Sequence, residues 1–212
     1  MSENRKFYGI DEDIQAILIQ NGMINDLFYY QDLQERRLFL EEEVTQPVVS
    51  EIVRSILRFN QEDKGKDASE RKPIMLFVST VGGDVEAGSE LIDVIMNSKT
   101  PVYTINIGFQ YSMGFIIGLA GHKRFASKNA KYLIHDGYES VGNSSYKAQD
   151  RMEFNKRIEE RDRQFILDRT KITPEEFNAN SRIEWYMFAD EAKEKGITDY
   201  IIGEDCTLDE II

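Results

Sequence analysis

Ser79 to Gly137 reads STVGGDVEAGSELIDVIMNSKTPVYTINIGFQYSMGFIIGLAGHKRFASKNAKYLIHDG. The apolar run Ile74 to Val78 leads into it and suits a buried strand. Val85 to Met96 then places Leu91, Ile92, Ile95 and Met96 on one helical face. Val102 to Ile107 has the alternation of a strand, and Met113 to Ala120 is apolar all round, as a helix buried on every side would be. Tyr132-Leu133-Ile134 reads as a further short strand. Strands and helices alternating in this way predict an α/β domain with a largely parallel sheet covered by helices.

Three places in this stretch can carry chemistry. Ser112 stands between a strand ending near Gly108 and the helix opening at Met113. A serine there is either a helix N-cap or a hydroxyl exposed beside the positive end of the helix dipole. The placement resembles a nucleophile elbow in logic, but Gln110 stands where G-x-S-x-G has its first glycine. His135 ends the strand YLIH, at the carboxyl edge where parallel sheets open into a cleft. A satisfied, half-buried histidine is the alternative there. The other histidine of the chain, His122, falls in a polar turn and reads as a solvated loop residue. Val81-Gly82-Gly83-Asp84 is either a tight turn or a pair of backbone amides free to approach a ligand, as in an oxyanion hole.

Outward from this core, Leu38 to Leu40 reads as a short buried strand. Pro47 opens a helix carrying Val48, Val49, Ile52, Val53, Ile56 and Leu57, and Asn60 to Lys72 is a charged stretch expected to be an exposed loop. Tyr146 to Thr170 is mostly charged, with Phe154, Ile158 and Phe165 on a narrow stripe. It reads as a solvated surface helix, or as one that projects to meet a copy of itself. Short helices at Pro174 to Asn180 and Asp190 to Lys195, the latter stopped by Gly196, precede a strand at Thr198 to Ile202.

The bulk numbers set limits. A chain of 212 residues suits one substantial domain. A net charge of -12 disfavours nucleic acid and anionic membranes as partners. The single cysteine, Cys206, permits no intrachain disulfide and fits a reducing compartment. No apolar run approaches the roughly 20 residues of a membrane span, and the amino terminus does not read as a secretory signal. The expectation is a cytoplasmic chain.

Taken together, these motifs resemble the Clp protease proteolytic subunit family (ClpP). That family has S-P-G-G before a helix, A-S-M-G or A-S-A-G, K-R-x-x-L-P-N and M-I-H-Q-P. The matching stretches here are Thr80-Val81-Gly82-Gly83, Tyr111-Ser112-Met113-Gly114, Lys123 to Asn129, and Leu133-Ile134-His135-Asp136. Glu35 to Leu40 is similar to the family's R-I-I-F-L strand, and Trp185 to Asp199 to its R-F-L-S-A-x-E-A-x-E-Y-G-L-I-D. The resemblance covers about Gln34 to Ile202.

It implies a ClpP/crotonase-like α/β fold of repeated β-β-α units with a protruding handle helix. The domain would run from 34 to 212, with the handle at about 138–172 and residues 1–33 lining an axial pore or disordered. It implies Ser112 as nucleophile, His135 as general base and the amides of Gly83 and Met113 as oxyanion hole. Glu184 falls where the family has the aspartate of E-R-D-R-F, so a glutamate would complete the triad, one methylene longer. Asp136 is the weaker substitute, because adjacent strand residues point to opposite faces. Val81 for proline, Tyr111 for a small residue and the missing proline after His135 are the other departures, and Tyr111 adds bulk beside the nucleophile.

The family also implies stacked heptameric rings forming a tetradecamer, peptide or unfolded-protein substrates, and an AAA+ unfoldase partner. ATP would be used by that partner, and this chain would hold no cofactor or metal. Met75 and Phe77 fall on the strand that helps form the family's docking pockets, or equally in the core. A catalytically weak paralogue in mixed rings and a crotonase-type acyl-CoA enzyme are the competing readings.

Overall fold

The structure is a computed structural model that describes residues 12–137, 145–180 and 182–212. The first 11 residues and the start of the expected handle region, 138–144, lie outside the described residues. Before the core come two helices, α1 (Glu12–Gln20) and α2 (Ile24–Gln34). Then β1 (Arg37–Leu40), α3 (Gln46–Glu62), β2 (Ile74–Val78), α4 (Val85–Asn97), β3 (Val102–Asn106), β4 (Phe109–Tyr111) and α5 (Met113–Leu119) follow. The chain continues through β5 (Lys123–Ser127), β6 (Lys131–Ile134), α6 (Ser145–Arg169), α7 (Pro174–Asn180), β7 (Trp185–Phe188), α8 (Ala189–Glu194) and β8 (Tyr200–Ile202).

Five strands form one sheet in the order β1-β2-β3-β5-β8, parallel throughout. One face is closed by α3, α4 and α5 over a core of Leu38, Leu40, Leu76, Val78, Ile56, Leu91 and Ile95. The amphipathic spacing of α3 and α4 explains this, since their apolar residues recur every three or four positions. The opposite face carries Phe77, Ile105 and Phe125, covered in part by Ile211 near the carboxyl terminus. A second sheet, β4-β6-β7, stands beside the first and joins it by the bridge Thr80–Gln110. Tyr132, Phe115, Ile134, Met187, Ile166 and Ile197 fill the core behind it. Strands β4, β5 and β7 were not visible in the sequence. β4 and β7 last three and four residues, and β5 opens on Lys123-Arg124 and has no apolar run to mark it.

Two readings need correction. β1 is not buried throughout: Leu38 and Leu40 are buried, but Phe39 is 39% exposed and stacks on Phe77 at 4.9 Å. The charged stretch Asn60 to Lys72 is not simply an exposed loop. α3 runs on to Glu62, and the next residue, Asp63, is fully buried. Its carboxylate is held by Arg36, Lys66 and Thr100. A charged composition therefore concealed a buried ion pair.

α6 spans 25 residues, about 37 Å at helical rise. Its amino-terminal half is exposed, Tyr146 and Phe154 included, whereas Phe165, Ile166 and Leu167 are packed in the core. Arg169 closes the helix by donating to the carbonyls of Leu119 and Gly121 at the far end of α5. On the same helix, partial burial and nearby Glu159 push the Asp162 carboxyl up to about 6. A carboxyl raised on folding adds stability while protonated and loses it as pH rises from about 4 to 6. Asp162→Asn is therefore expected to raise the melting temperature at pH 7 and to leave it unchanged at pH 4. An equal gain at both pH values would refute the assignment.

Candidate active site

The site is assembled where the second sheet meets the glycine turn after β2. Parallel pairing of β4 with β6 sets Tyr111 beside Leu133, and the amide of Ser112 then donates to the carbonyl of Leu133 at 3.1 Å. Ser112 and His135 thus leave the carboxyl ends of neighbouring parallel strands, the edge at which α/β sheets present ligand sites.

Ser112 has φ 54° and ψ -126°. A positive φ is uncommon in a residue bearing a Cβ and stores strain. The residue does occupy the N-cap position of α5, but its side chain caps no helical amide. The N-cap alternative therefore accounts for the position and not for the hydroxyl, which is left free of the helix. The strained strand-to-helix turn is the backbone form of a nucleophile elbow, built without the first glycine of G-x-S-x-G.

The turn Gly82-Gly83 lies directly against it. A Cβ added at Gly82 would meet the Cβ of Ser112 at 2.8 Å and the Met113 nitrogen at 3.0 Å. One added at Gly83 would strike the Val44 carbonyl oxygen at 2.4 Å. Both glycines have positive φ, 96° and 145°. The turn is fastened from outside by Val44, whose amide donates to Gly82 and whose carbonyl accepts from Asp84. Thr80 adds a second fastening, its hydroxyl donating to Glu42 and accepting from the Gly82 amide. Among the described residues, the amides of Gly83 and Met113 donate no hydrogen bond. Two free donors consequently flank the serine.

His135 is half-buried, and its Nε2 is buried with no hydrogen-bond partner among the described residues. An unpaired buried nitrogen carries a desolvation cost of about 1–3 kcal/mol, which folds tolerate mainly where function uses the group. Antiparallel pairing of β6 with β7 matches Ile134 to Trp185, so the next pair outward is His135 with Glu184. Residues directly opposite share a face, which puts Glu184 on the side of His135. Glu184 is exposed, and its carboxylate accepts from the Tyr186 hydroxyl at 2.9 Å. No hydrogen bond joins Ser112 to His135 or His135 to Glu184 in this state.

Sequence reasoning missed Tyr186. Its ring meets that of Tyr111 edge-on at 5.8 Å, and Tyr111 in turn packs on Phe109 at 5.0 Å. These aromatics occupy the outward face of the second sheet and continue to the row of His135 and Glu184. The signal for them was a period of two in FQY and WYMF, legible only once the strands are known.

His122 is an exposed residue of the turn before β5, and its Nδ1 accepts from the Val102 amide at 3.1 Å. Among the described residues no group of three or more His, Cys, Asp or Glu side chains could hold a metal ion. No helix among them is long and apolar enough to cross a membrane. Met75 is half-buried and Phe77 buried, both against the cluster on the outer face of the main sheet. Beside them Tyr103, Phe125, Tyr200, Cys206 and Ile211 line a surface groove.

Comparison with known proteins identifies the family. A family model described as Clp protease matches residues 20–205. The ATP-dependent Clp protease proteolytic subunit 2 of Treponema pallidum is 29% identical over 191 residues, 86% of this chain and 89% of the relative. The ATP-dependent Clp protease proteolytic subunit of Streptococcus gordonii is 29% identical over 84% of this chain and 89% of its own length. That of Lactococcus lactis subsp. cremoris is 30% identical over 82% of this chain and 86% of its own. The chain belongs to the Clp protease family, with that family's α/β fold, and is a serine-type peptidase.

Proposed function

We propose that this chain is the proteolytic subunit of a self-compartmentalised protease, cleaving peptides or unfolded proteins with Ser112, His135 and Glu184. The observation that carries the reading is the strained, uncapped Ser112 beside the buried, unpaired Nε2 of His135. His135 Nε2 takes the proton of the Ser112 hydroxyl as Oγ attacks the scissile carbonyl, and later returns it to the leaving amine. The amides of Gly83 and Met113 receive the charge that develops on the carbonyl oxygen. Glu184 orients the imidazole from the opposite strand. No cofactor or metal enters this scheme.

Ring assembly is part of the proposal. The exposed half of α6, with Met152 and Phe154, supplies a projecting surface suited to meeting a second ring. The aromatic outer face of the main sheet, around Phe39, Phe77 and Tyr103, suits the docking of an AAA+ unfoldase. A cytoplasmic setting agrees with both.

The test is covalent labelling with a fluorophosphonate, read by intact and peptide mass spectrometry. A single adduct on Ser112 is expected, lost in Ser112→Ala and in His135→Ala. No adduct in a folded, ring-forming sample would refute an active subunit and favour a regulatory paralogue in mixed rings. The open Ser112–His135 and His135–Glu184 contacts are the observations on that side.

A further inference from the structure

Glutamate in the acid position of the triad has a longer reach and an extra rotatable bond, so its carboxylate needs fixing. Glu184 is exposed, and among the described residues the single hydrogen bond its side chain makes comes from Tyr186. Tyr186 sits two residues along β7, on the same face as Glu184. The same hydrogen bond is the first cause raising the Tyr186 phenol above its ordinary value. The tyrosine is itself braced, because its ring stands at 84° to that of Tyr111, the residue that precedes the nucleophile. The phenol, the carboxylate and the nucleophile's turn therefore form one chain of contacts across the three strands β7, β6 and β4.

We infer that Tyr186 is the positioning residue for the acid of the triad. Its phenol holds one carboxylate oxygen of Glu184 on the row of His135 and leaves the other oxygen for the imidazole. A carboxylate has acceptor sites enough for both donors. With aspartate the backbone alone would set the distance, whereas with glutamate the neighbouring phenol sets it. The inference rests on the peptidase reading above, with Glu184 as its acid.

Tyr186→Phe keeps the ring and its contact with Tyr111 and removes one hydrogen bond. In the full chain, assayed on a small fluorogenic peptide, kcat is expected to fall about tenfold with KM unchanged. The acidic limb of the kcat/KM profile should move to lower pH, because an imidazole that loses its carboxylate neighbour binds its proton less tightly. The other ionisable groups at this corner, Asp136, Arg182 and Tyr111, are the same in both proteins and cannot produce the difference. In a Glu184→Gln background the same change should have no further effect, since it acts through the carboxylate.

Equal losses in both backgrounds would assign the effect to packing and overturn the inference. So would an unchanged kcat and profile. A rise in kcat would overturn it too, by showing that the phenol holds the carboxylate away from His135. Fluorophosphonate labelling of the parent separates the two levels. Absent labelling sinks the serine mechanism and this inference with it, whereas normal labelling with a silent Tyr186→Phe sinks this inference alone.

Discussion

Asp63→Ala is expected to be among the most destabilising single substitutions in this chain, at about 3–5 kcal/mol. Its carboxylate is fully buried and takes two bonds from the Arg36 guanidinium, one from the Lys66 ammonium at 2.7 Å and one from the Thr100 hydroxyl at 3.0 Å. Removing it leaves Arg36, itself only 8% exposed, without its closest counter-charge and with only the half-exposed Glu62 carboxylate, 3.6 Å away, as a carboxylate partner among the described residues. Arg36 cannot easily turn outward, because it sits at φ 58° between α2 and β1 and also donates to the Lys72 carbonyl.

The pH dependence follows from the same contacts. Arg36 above all, then Lys66 and Thr100, hold the Asp63 carboxyl well below the usual carboxylate range, against the opposing effect of burial. A depressed carboxyl contributes stability that is complete above its unfolded value, about 3.9, and is lost as pH falls below it. The parent and Asp63→Ala proteins should thus differ most near neutrality and converge as the pH falls well below 4. Denaturant midpoints at matched protein concentration measure this. A loss under about 1 kcal/mol at pH 7 would mean that the pair is not what holds β1 to the end of α3.

Gly83→Ala is expected to abolish turnover while leaving the fold largely intact. At φ 145° a side chain is strained whatever the space, and here the added Cβ would sit 2.4 Å from the Val44 carbonyl oxygen. The turn must then lift from Val44 and break the hydrogen bonds that Val44 makes with Gly82 and Asp84. Since the turn lies so close to Ser112 and Met113 that there is no room for a Cβ at Gly82, that shift displaces the amides proposed as oxyanion donors. Loss of one such donor lowers kcat by about 10²–10³, and loss of the turn costs at least as much. Peptide hydrolysis and fluorophosphonate labelling should both fall, with the melting temperature reduced by only a few degrees. Activity within a factor of ten of the parent would show that Gly83 supplies no donor.

Much of the main sheet could be read in advance, because its elements are long or strongly patterned. The apolar run Ile74 to Val78, the unbroken apolar helix α5, and the faces of α3 and α4 matched their elements, except that Leu57 and Met96, read as part of those faces, are exposed. Of the second sheet, which carries the candidate site, only β6 could be read, as Tyr132 to Ile134. Its strands hold three or four residues, and their residue choices are set by what crosses the sheet rather than by what is adjacent in sequence. Ser112, His135 and Glu184 were proposed by motif. Their relation is a matter of register, Tyr111 with Leu133 and Ile134 with Trp185, and register is invisible before pairing is known. Asp63 was hidden for a different reason. In NQEDKGKDASERK it is one charge among many, and only its long-range partner Arg36 marks it as interior.

The helix that opens after Ser112 is only seven residues long, about 10 Å from end to end. One end bears Ser112, and at the other the guanidinium of Arg169 grips the carbonyls of Leu119 and Gly121. Mechanically it is a short strut pinned at both ends, with one pin in the second sheet and the other in the base of the long α6. A strut of that length tilts as a unit. A displacement at the foot of α6 therefore reaches Ser112 along a helix that also rests on the parallel sheet, where the Thr104 hydroxyl of β3 donates to the Gly118 carbonyl at 2.7 Å.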